Sequence, residues 1–235
     1  MIKHIVFDID DTLCDFAGAR ERGLVNAFAL VPDEGRAAAL DCWRTVEPLL
    51  FQHFNDRLLS REGYRRLRFL IPLSLTHGGG DDEALAARMN ERFMAEVNDR
   101  ITATLHAVDC LTTLARSGIG RHILTNGPAD GQRRKLAVAG LDTLVDELFV
   151  SEELGFAKPD PAAFQAVLGR LGAQPGEVLV VGDSMSADVA PARALGMPAL
   201  WYAPDARQPG PGTIRSLLEV PASARLPATA VIRGR

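Results

Sequence analysis

Short, continuous apolar runs alternate with longer segments of helical periodicity along this chain. The first run lies at Ile2–Phe7, and four more follow at 121–124, 148–150, 178–181 and 199–202. Apolar runs of this length, rich in Val, Ile and Leu, are typical of strands that are buried on both faces of a sheet. The pattern therefore predicts five buried strands.

Segments with apolar residues at helical spacing separate the later runs. They lie at 110–117, 132–139, 161–169 and 187–195, and a last short helical pattern covers 214–220. Gly118, Gly140 and Gly196 follow three of them, and glycine is the preferred residue just after a helix. Alternating strands and helices predict a parallel sheet with helices on both faces. The predicted fold class is α/β, with a doubly wound parallel-sheet, Rossmann-like core.

The stretch between the first and second strands has a different character. Its apolar residues recur at helical spacing in four segments, 18–30, 34–58, 61–70 and 83–97. Ser60 is a candidate cap for the third helix and Asp81 or Asp82 for the fourth, with a flexible break at Gly78–Gly80 before it. A connection between a strand and a helix normally takes a few residues, so this stretch is predicted to be an insertion. We expect residues 1–15 and 99–235 to form the α/β core, and 16–98 to form an all-helical cap domain.

Composition narrows the class of protein further. The chain has 235 residues, 47% of them apolar, with a formal net charge of -4. An acidic balance argues against binding to a nucleic-acid polymer. No run of about 18 apolar residues occurs, so no membrane span is expected. Three widely spaced cysteines without a C-x-x-C pair favour a reducing cytoplasm. We expect a cytoplasmic monomer or homodimer.

Polar residues follow four of the predicted strands. Asp8, Asp10, Asp11 and Thr12 come after the first, Thr125 and Asn126 after the second, Lys158 a short loop after the third, and Asp183 and Asp188 after the fourth. The carboxyl ends of parallel strands meet at one edge of a sheet, and ligands bind there. These side chains are therefore predicted to line one pocket.

The charges in such a pocket indicate its ligands. Asp8, Asp10, Asp183 and Asp188 bring four negative charges and Lys158 returns one positive charge. Mg²⁺ suits a few carboxylates together with phosphate oxygens. The Thr125 hydroxyl and the Asn126 amide are hydrogen-bond donors for phosphate, and a lysine offers it a point charge. The sequence predicts a site for Mg²⁺ and a small phosphorylated metabolite.

These motifs together resemble the haloacid dehalogenase-like hydrolase superfamily. The D-x-D-x-T signature is Asp8, Asp10 and Thr12, the Ser/Thr motif is Thr125, the lysine motif is Lys158 in KPDP, and the acidic motif is GDSMSAD, which carries Asp183 and Asp188. The helical insertion after the first motif is similar to the helical cap of this superfamily. The DDTL opening and the SEELGFAKPD stretch are similar to its small-molecule phosphatases and nucleotidases.

The resemblance implies a mechanism. Asp8 attacks phosphorus and forms an aspartyl-phosphate, while Asp10 protonates the leaving oxygen and then activates water. Mg²⁺ is held by Asp8, the backbone carbonyl of Asp10 and Asp183. Thr125 and Asn126 grip the phosphoryl group, and Lys158 stabilises it together with Asp8. Asp188 orients Lys158 or a metal-bound water. The implied activity is hydrolysis of a small phosphate monoester, for which a nucleoside monophosphate is one candidate.

Other readings of the same motifs stay open. A haloacid dehalogenase needs no acid at position 10, and a phosphonate hydrolase would need a cap lysine, which 16–98 lacks. A sugar phosphomutase would keep every core motif, and a non-catalytic binding module would have lost some. Asp11 is expected to be a local cap or solvated, Thr12 to bond within its own loop, and Cys14 to serve packing.

Overall fold

The computed structural model describes residues 1–76 and 82–224 of the chain. The chain divides into two compact units: Met1–Asp15 with the segment from Thr102 onward, and Phe16–Ile101. The second boundary of the helical unit thus lies at Ile101 rather than at residue 98. The glycine break at 78–80, the candidate cap Asp81 and the end of the chain after residue 224 lie outside the described residues.

Unit Phe16–Ile101 consists of four helices in its described part, which match the four helical patterns. They are α1 (Phe16–Phe28), α2 (Asp33–Asn55), α3 (Arg61–Thr76) and α4 (Asp82–Asp99). The rings of Trp43, Phe69 and Phe93 pack together in its core. The Gly63 N–H donates to Ser60 Oγ at 3.0 Å, as expected of a residue that caps α3.

Helix α3 continues past its predicted end at Leu70. Proline normally ends or bends a helix, because it cannot donate the backbone hydrogen bond. Here Pro72 lies inside α3 and is buried together with Phe69 and Leu73, so the helix keeps one apolar face through this point. Burial of that face outweighs the hydrogen bond that Pro72 cannot donate.

In its described part, the other unit is built on a parallel sheet of six strands. In chain order they are β1 (His4–Phe7), β2 (Gly120–Thr125), β3 (Glu147–Val150), β4 (Val178–Gly182), β5 (Ala199–Tyr202) and β6 (Thr213–Ile214). The spatial order is β3-β2-β1-β4-β5-β6, which is the doubly wound, Rossmann-like order. The predicted fold class is confirmed. The expected helix at 214–220 is partly wrong, because Thr213–Ile214 pair with β5 as an edge strand.

Helices connect these strands. They are α5 (Ala107–Arg116), α6 (Ala129–Val138), α7 (Ser151–Leu154), α8 (Pro161–Leu171), α9 (Ala190–Ala194) and α10 (Val220–Ala224), and a π-helical turn, Met185–Val189, precedes α9. None of the helices in the described ranges is long and apolar enough to cross a membrane.

Strand β1 is the point at which the strand order reverses. Phe7 is paired with Ile123 of β2 on one side and with Val181 of β4 on the other. The Asp8 N–H still bonds the Val181 carbonyl at 3.0 Å, so the ladder between β1 and β4 runs up to the first aspartate. In doubly wound sheets this reversal opens a crevice at the carboxyl edge, where ligands bind.

Candidate active site

Three charged side chains meet at the strand reversal. Lys158 Nζ lies 2.7 Å from Asp8 Oδ1 and 2.6 Å from Asp188 Oδ1. Burial lowers the pKa of Lys158, but the carboxylates of Asp188 and Asp8 outweigh burial, and the net result is a raised pKa. Lys158 is therefore a permanent cation between two carboxylates. In this position it contacts Asp8, which it is predicted to stabilise, and Asp188, which is predicted to orient it.

The main chain around Lys158 is held by Asn126. The Asn126 amide donates to the Lys158 carbonyl at 2.7 Å, and Asn126 Oδ1 accepts from the Lys158 N–H at 2.9 Å. Both polar atoms of this side chain are thus engaged in positioning the lysine segment, which the sequence did not predict. One amide N–H of Asn126 is used in this contact, so the predicted contact with phosphate would have to come from the second N–H, and it stays a prediction. The segment before Lys158 is also more than a loop, because it contains α7.

Asp183 is fixed by residues of two other strand ends. Its N–H donates to Thr12 Oγ1 at 3.0 Å, and the Thr12 hydroxyl lies 3.3 Å from Asp183 Oδ1. Trp201 Nε1 donates to the Asp183 carbonyl at 2.6 Å. The expectation that Thr12 bonds within its own loop is therefore wrong: its hydroxyl crosses from the end of β1 to the end of β4.

Asp188 reaches the site because the strand that precedes it ends in glycine. A Cβ atom on Gly182 would lie 2.3 Å from Asp188 Oδ2 and 2.6 Å from Asp188 Cβ. The Ser184 N–H donates to Asp188 Oδ2 at 3.1 Å, which fixes the second carboxylate oxygen. No side chain fits between β4 and the π-helical turn that carries Asp188.

We expect Gly182→Ala to displace Asp188 and to lower kcat by about 10²-fold, since misplacing a catalytic constellation by about 1 Å costs that much. The measurement is kcat on the best substrate, with Gly169→Ala as the matched control because no atom lies near a Cβ at that position. Gly169 lies in α8, where alanine is the better helix former. Equal rates for both variants would show that the close packing of Gly182 on Asp188 is not needed.

Asp10 has partners that the sequence did not reveal. Lys135 Nζ lies 2.6 Å from Asp10 Oδ1 and 2.8 Å from Oδ2, and Gln132 Nε2 lies 3.2 Å from Oδ2. Lys135 and Gln132 are both buried, although they lie in a helix with polar exposed faces. The only sequence signal was the placement of two polar residues, three positions apart, on the face of α6 that also buries Leu136.

Thr125, at the end of β2, is almost fully buried. Gln132 Nε2 donates to its hydroxyl oxygen at 2.8 Å, and that hydroxyl lies 3.4 Å from the Asn126 carbonyl. In the predicted role, the hydroxyl turns from this weak contact towards a phosphate oxygen. The structure thus brings Thr125 into the same network as Asp10, and its contact with phosphate stays a prediction.

The carboxylates form a cluster that suits a hard cation. Among the described residues, Asp8, Asp183 and Asp188 are the group of acidic side chains close enough to share a metal ion, with oxygens within 4.8 Å of one another. Asp8 and Asp183 belong to the predicted ligand set. The Asp10 carboxylate instead faces Lys135, so its predicted ligation through the backbone carbonyl stays a prediction. Oxygen donors of this kind fit Mg²⁺.

The electrostatics of the cluster also indicate a cation. Burial, followed by Asp188 and Asp10, raises the pKa of Asp8 to about 7 although Lys158 opposes the shift. Burial, Asp188 and Asp11 raise the pKa of Asp183 to about 6. The four predicted carboxylates face two buried lysines rather than one, which leaves two negative charges. One divalent cation balances that excess.

A doubly wound sheet that gathers these carboxylates, two lysines and a threonine hydroxyl at its switch point defines the class: an α/β enzyme whose carboxylate-rich site suits a hard cation. The model of the haloacid dehalogenase-like hydrolase family matches residues 2–196. The chain belongs to this family and is a hydrolase, as its motifs indicated.

Three similar proteins illustrate the range of the family. The putative HAD-hydrolase YfnB of Bacillus subtilis is 29% identical over 86% of this chain and 85% of its own length. Its solved structure, described as bound to magnesium and as revealing interdomain movement, has a TM-score of 0.72 and 26% identity, with 96% of this chain and 99% of that chain covered. The N-acylneuraminate-9-phosphatase of Mus musculus is 26% identical over 94% of this chain and 93% of its own. The solved 2-haloacid dehalogenase of Pseudomonas syringae pv. Tomato DC3000 is 28% identical, with a TM-score of 0.63 and coverage of 94% and 97%.

Proposed function

We propose that this protein is a Mg²⁺-dependent phosphatase that hydrolyses a small phosphate monoester through an aspartyl-phosphate on Asp8. The observation that carries the proposal is the buried contact between Lys158 Nζ and Asp8 Oδ1 at 2.7 Å, beside a second aspartate, Asp10, that has its own buried cation. Lys158 fixes one oxygen of Asp8 and leaves the other for attack on phosphorus. A carboxylate is a nucleophile without a deprotonating base once it is ionised.

The protein residues divide the work as follows. Asp8 forms the bond to phosphorus while the bond to the leaving oxygen breaks, and Asp10 gives that oxygen a proton. In the second half, Asp10 takes a proton from water, and the water oxygen displaces Asp8 from phosphorus. Lys158 keeps its proton throughout and offsets the negative charge that Asp8 and the phosphoryl group bring together.

Asp8 and Asp183 would hold Mg²⁺ with the backbone carbonyl of Asp10, and Asp188 lies close enough to support this set. When bound, the ion supplies positive charge that favours ionised Asp8 and neutralises the phosphate dianion. The raised pKa values of Asp8 and Asp183 fit this assignment, because burial and neighbouring carboxylates disfavour the ionised forms, and a bound cation would favour them again.

The similar proteins include a phosphatase and a dehalogenase at nearly equal identity, so the residues must decide between the two chemistries. Asp10 favours the phosphatase: an acid two positions from the nucleophile serves a leaving alcohol, whereas a leaving halide needs no proton. Cys14 is no rival nucleophile, because burial, followed by Asp10, raises the pKa of its thiol to about 12.

Phosphate release from a panel of esters tests this function. The panel contains nucleoside monophosphates, sugar phosphates and phosphoglycolate, each with Mg²⁺ and with EDTA, and a 2-haloacid whose halide release is followed in parallel. We expect Mg²⁺-dependent phosphate release, no halide release, and a rank order that identifies the substrate class. Halide release without phosphate release would overturn the proposal.

Mg²⁺ should also stabilise the folded protein, by an amount that depends on pH. Because folding raises the pKa of Asp8 and of Asp183, the metal-free folded state binds more protons than the unfolded chain, and its stability falls as the pH rises from about 4 to about 7. Mg²⁺ at about 100 times its Kd should add about 2.7 kcal/mol, or about 5–10 °C in Tm, at a pH above about 7. The shift should shrink at about pH 5, where the carboxyls hold protons.

Asp183→Asn provides the matching variant for this thermal measurement. We expect it to lose the Mg²⁺-dependent rise in Tm and to be at least as stable as wild type without metal at a pH above about 7, because a neutral amide replaces a disfavoured buried charge. The exposed Asp142 gives the control, Asp142→Asn, which should keep the full shift. An undiminished shift in Asp183→Asn would exclude this carboxylate as a ligand.

A further inference from the structure

The side chain of Asp10 is held by donors that all come from one helix. Lys135 Nζ contacts both carboxylate oxygens, at 2.6 and 2.8 Å, and Gln132 Nε2 contacts Oδ2 at 3.2 Å. Gln132 and Lys135 lie three positions apart in α6 and therefore project from the same side of that helix. The two donors form one rigid clamp on the carboxylate.

The clamp is itself fixed to the end of β2. Gln132 Nε2 donates to Thr125 Oγ1 at 2.8 Å and to the Asn126 carbonyl at 2.7 Å. All atoms around Nε2 are acceptors, so the amide has one satisfactory orientation. Its other atom, Gln132 Oε1, is buried without a partner among the described residues. Leaving this atom unpaired costs free energy, which the contacts of Nε2 offset.

Lys135 is buried, so contact with solvent does not explain why a lysine occupies this position. Its side chain is 8% exposed, whereas the Asp10 carboxylate is 26% exposed and borders solvent. Without partners, a partly exposed aspartate in a loop would sample several rotamers. General acid catalysis requires the proton donor within hydrogen-bond reach of the leaving oxygen, so such sampling would reduce the rate.

We infer that Lys135, assisted by Gln132, is the positioning residue that holds the Asp10 carboxyl group in the orientation from which it exchanges protons with the leaving oxygen and with water. The inference rests on the proposed phosphatase function. The proton moves from Asp10 to the leaving oxygen as the bond from that oxygen to phosphorus breaks and the bond from Asp8 forms. Lys135 keeps all of its protons and changes only where Asp10 lies.

Leaving groups of different basicity test this role. An alkoxide needs a proton as it departs, whereas p-nitrophenolate departs readily without one. We expect Lys135→Met to lower kcat/KM for the best alkyl phosphate of the panel by about 10²-fold, at the low end of the usual contribution of general acid catalysis. For p-nitrophenyl phosphate the loss should be below about fivefold, because its transition state needs little help from Asp10. The ratio kcat/KM is used because it reports on steps up to the first irreversible one and excludes the later attack by water.

Three further variants make the result specific. Lys135→Arg keeps a cation that grips both carboxylate oxygens, and should recover most of the alkyl phosphate activity. Lys135→Gln keeps one donor without the charge, and should fall between Arg and Met. Arg133→Met removes a cation from the exposed face of the same helix, where Arg133 pairs with Glu153, and should leave both substrates unaffected.

The outcomes separate this inference from the function on which it rests. If wild type releases no phosphate from either substrate, the proposed function fails. If wild type is active and Lys135→Met loses the same factor on both substrates, Lys135 has a merely structural role and the inference is wrong. Both rates come from the same preparation, so partial unfolding of the variant scales them equally and leaves the ratio intact. If Lys135→Met hydrolyses both the alkyl phosphate and p-nitrophenyl phosphate as fast as wild type, the inference is also wrong.

Discussion

Asp8→Asn should abolish turnover while leaving the protein folded. The substitution removes the nucleophile, and loss of a covalent nucleophile typically costs 10⁴-fold or more, so we expect a reduction in kcat of at least about 10⁴-fold. Stability should change little, because asparagine conserves the volume and Lys158 keeps its contact with Asp188 at 2.6 Å. Burial already disfavours the charged form of Asp8, as its raised pKa shows, so a neutral side chain is accepted at this position.

The neighbouring Asp11 provides the matched control for this variant. Asp11 has a positive φ of 59°, a conformation that asparagine also tolerates, so Asp11→Asn keeps the backbone. We expect its kcat to stay within about tenfold of wild type, since Asp11 contributes a charge near Asp183 rather than a nucleophile or a proton donor. The readouts are kcat and the circular dichroism melt of both variants. Near-wild-type turnover by Asp8→Asn would rule out an aspartyl-phosphate at this position.

Lys158→Met should damage both stability and catalysis. Lys158 is buried between Asp8 and Asp188, and its removal leaves two carboxylates without their shared cation. Breaking a buried charge network in this way costs about 3–5 kcal/mol, which corresponds to about 6–20 °C in the Tm of a domain of this size. The rate should fall by about 10³-fold, because one fixed electrostatic partner of the phosphoryl group is lost.

The control for Lys158→Met is the same substitution at Lys3, a lysine that forms an ion pair at the surface. Lys3 lies 2.6 Å from Glu177 and its side chain is 63% exposed, so Lys3→Met should change Tm by about 2 °C or less and leave kcat unaltered. Mg²⁺ should recover part of the stability of Lys158→Met, since it supplies positive charge to the same carboxylates. A melt of Lys158→Met that matches wild type would contradict the charge account of the site.

The fold was predictable where one physical rule acted alone. Four of the five longer strands contain at least three consecutive apolar residues, and β2 contains the buried pair Ile123 and Leu124, a pattern typical of strands inside a sheet. Prediction failed at Thr213–Ile214, where pairing with β5 decides the state of a two-residue segment that has no local signal. It also failed at the end of α3, where burial of one apolar face overrides the usual effect of Pro72.

The site was predictable to the extent that its residues end strands. Asp8 and Asp183 directly follow buried strands and Thr125 ends one, and the parallel sheet brings them to one edge. Lys135 and Gln132 were missed because they reach the site from inside a helix, where a polar residue is usually exposed. The contact between Thr12 and Asp183 was missed for another reason: it joins residues 171 positions apart, and no local pattern records such a pair.

The covalent intermediate is the central claim, and trapping it is the most direct test. The protein is mixed with Mg²⁺ and its best substrate, quenched in acid within one turnover, and treated with borohydride, which reduces an acyl-phosphate to an alcohol. We expect peptide mass spectrometry to find homoserine at position 8, with Asp10, Asp183 and Asp188 unmodified. With p-nitrophenyl phosphate, whose leaving group needs little help from Asp10, the signal should increase in Asp10→Asn, which is slow to activate water. Steady phosphate release with position 8 unmodified, or with the label on another aspartate, would contradict this claim.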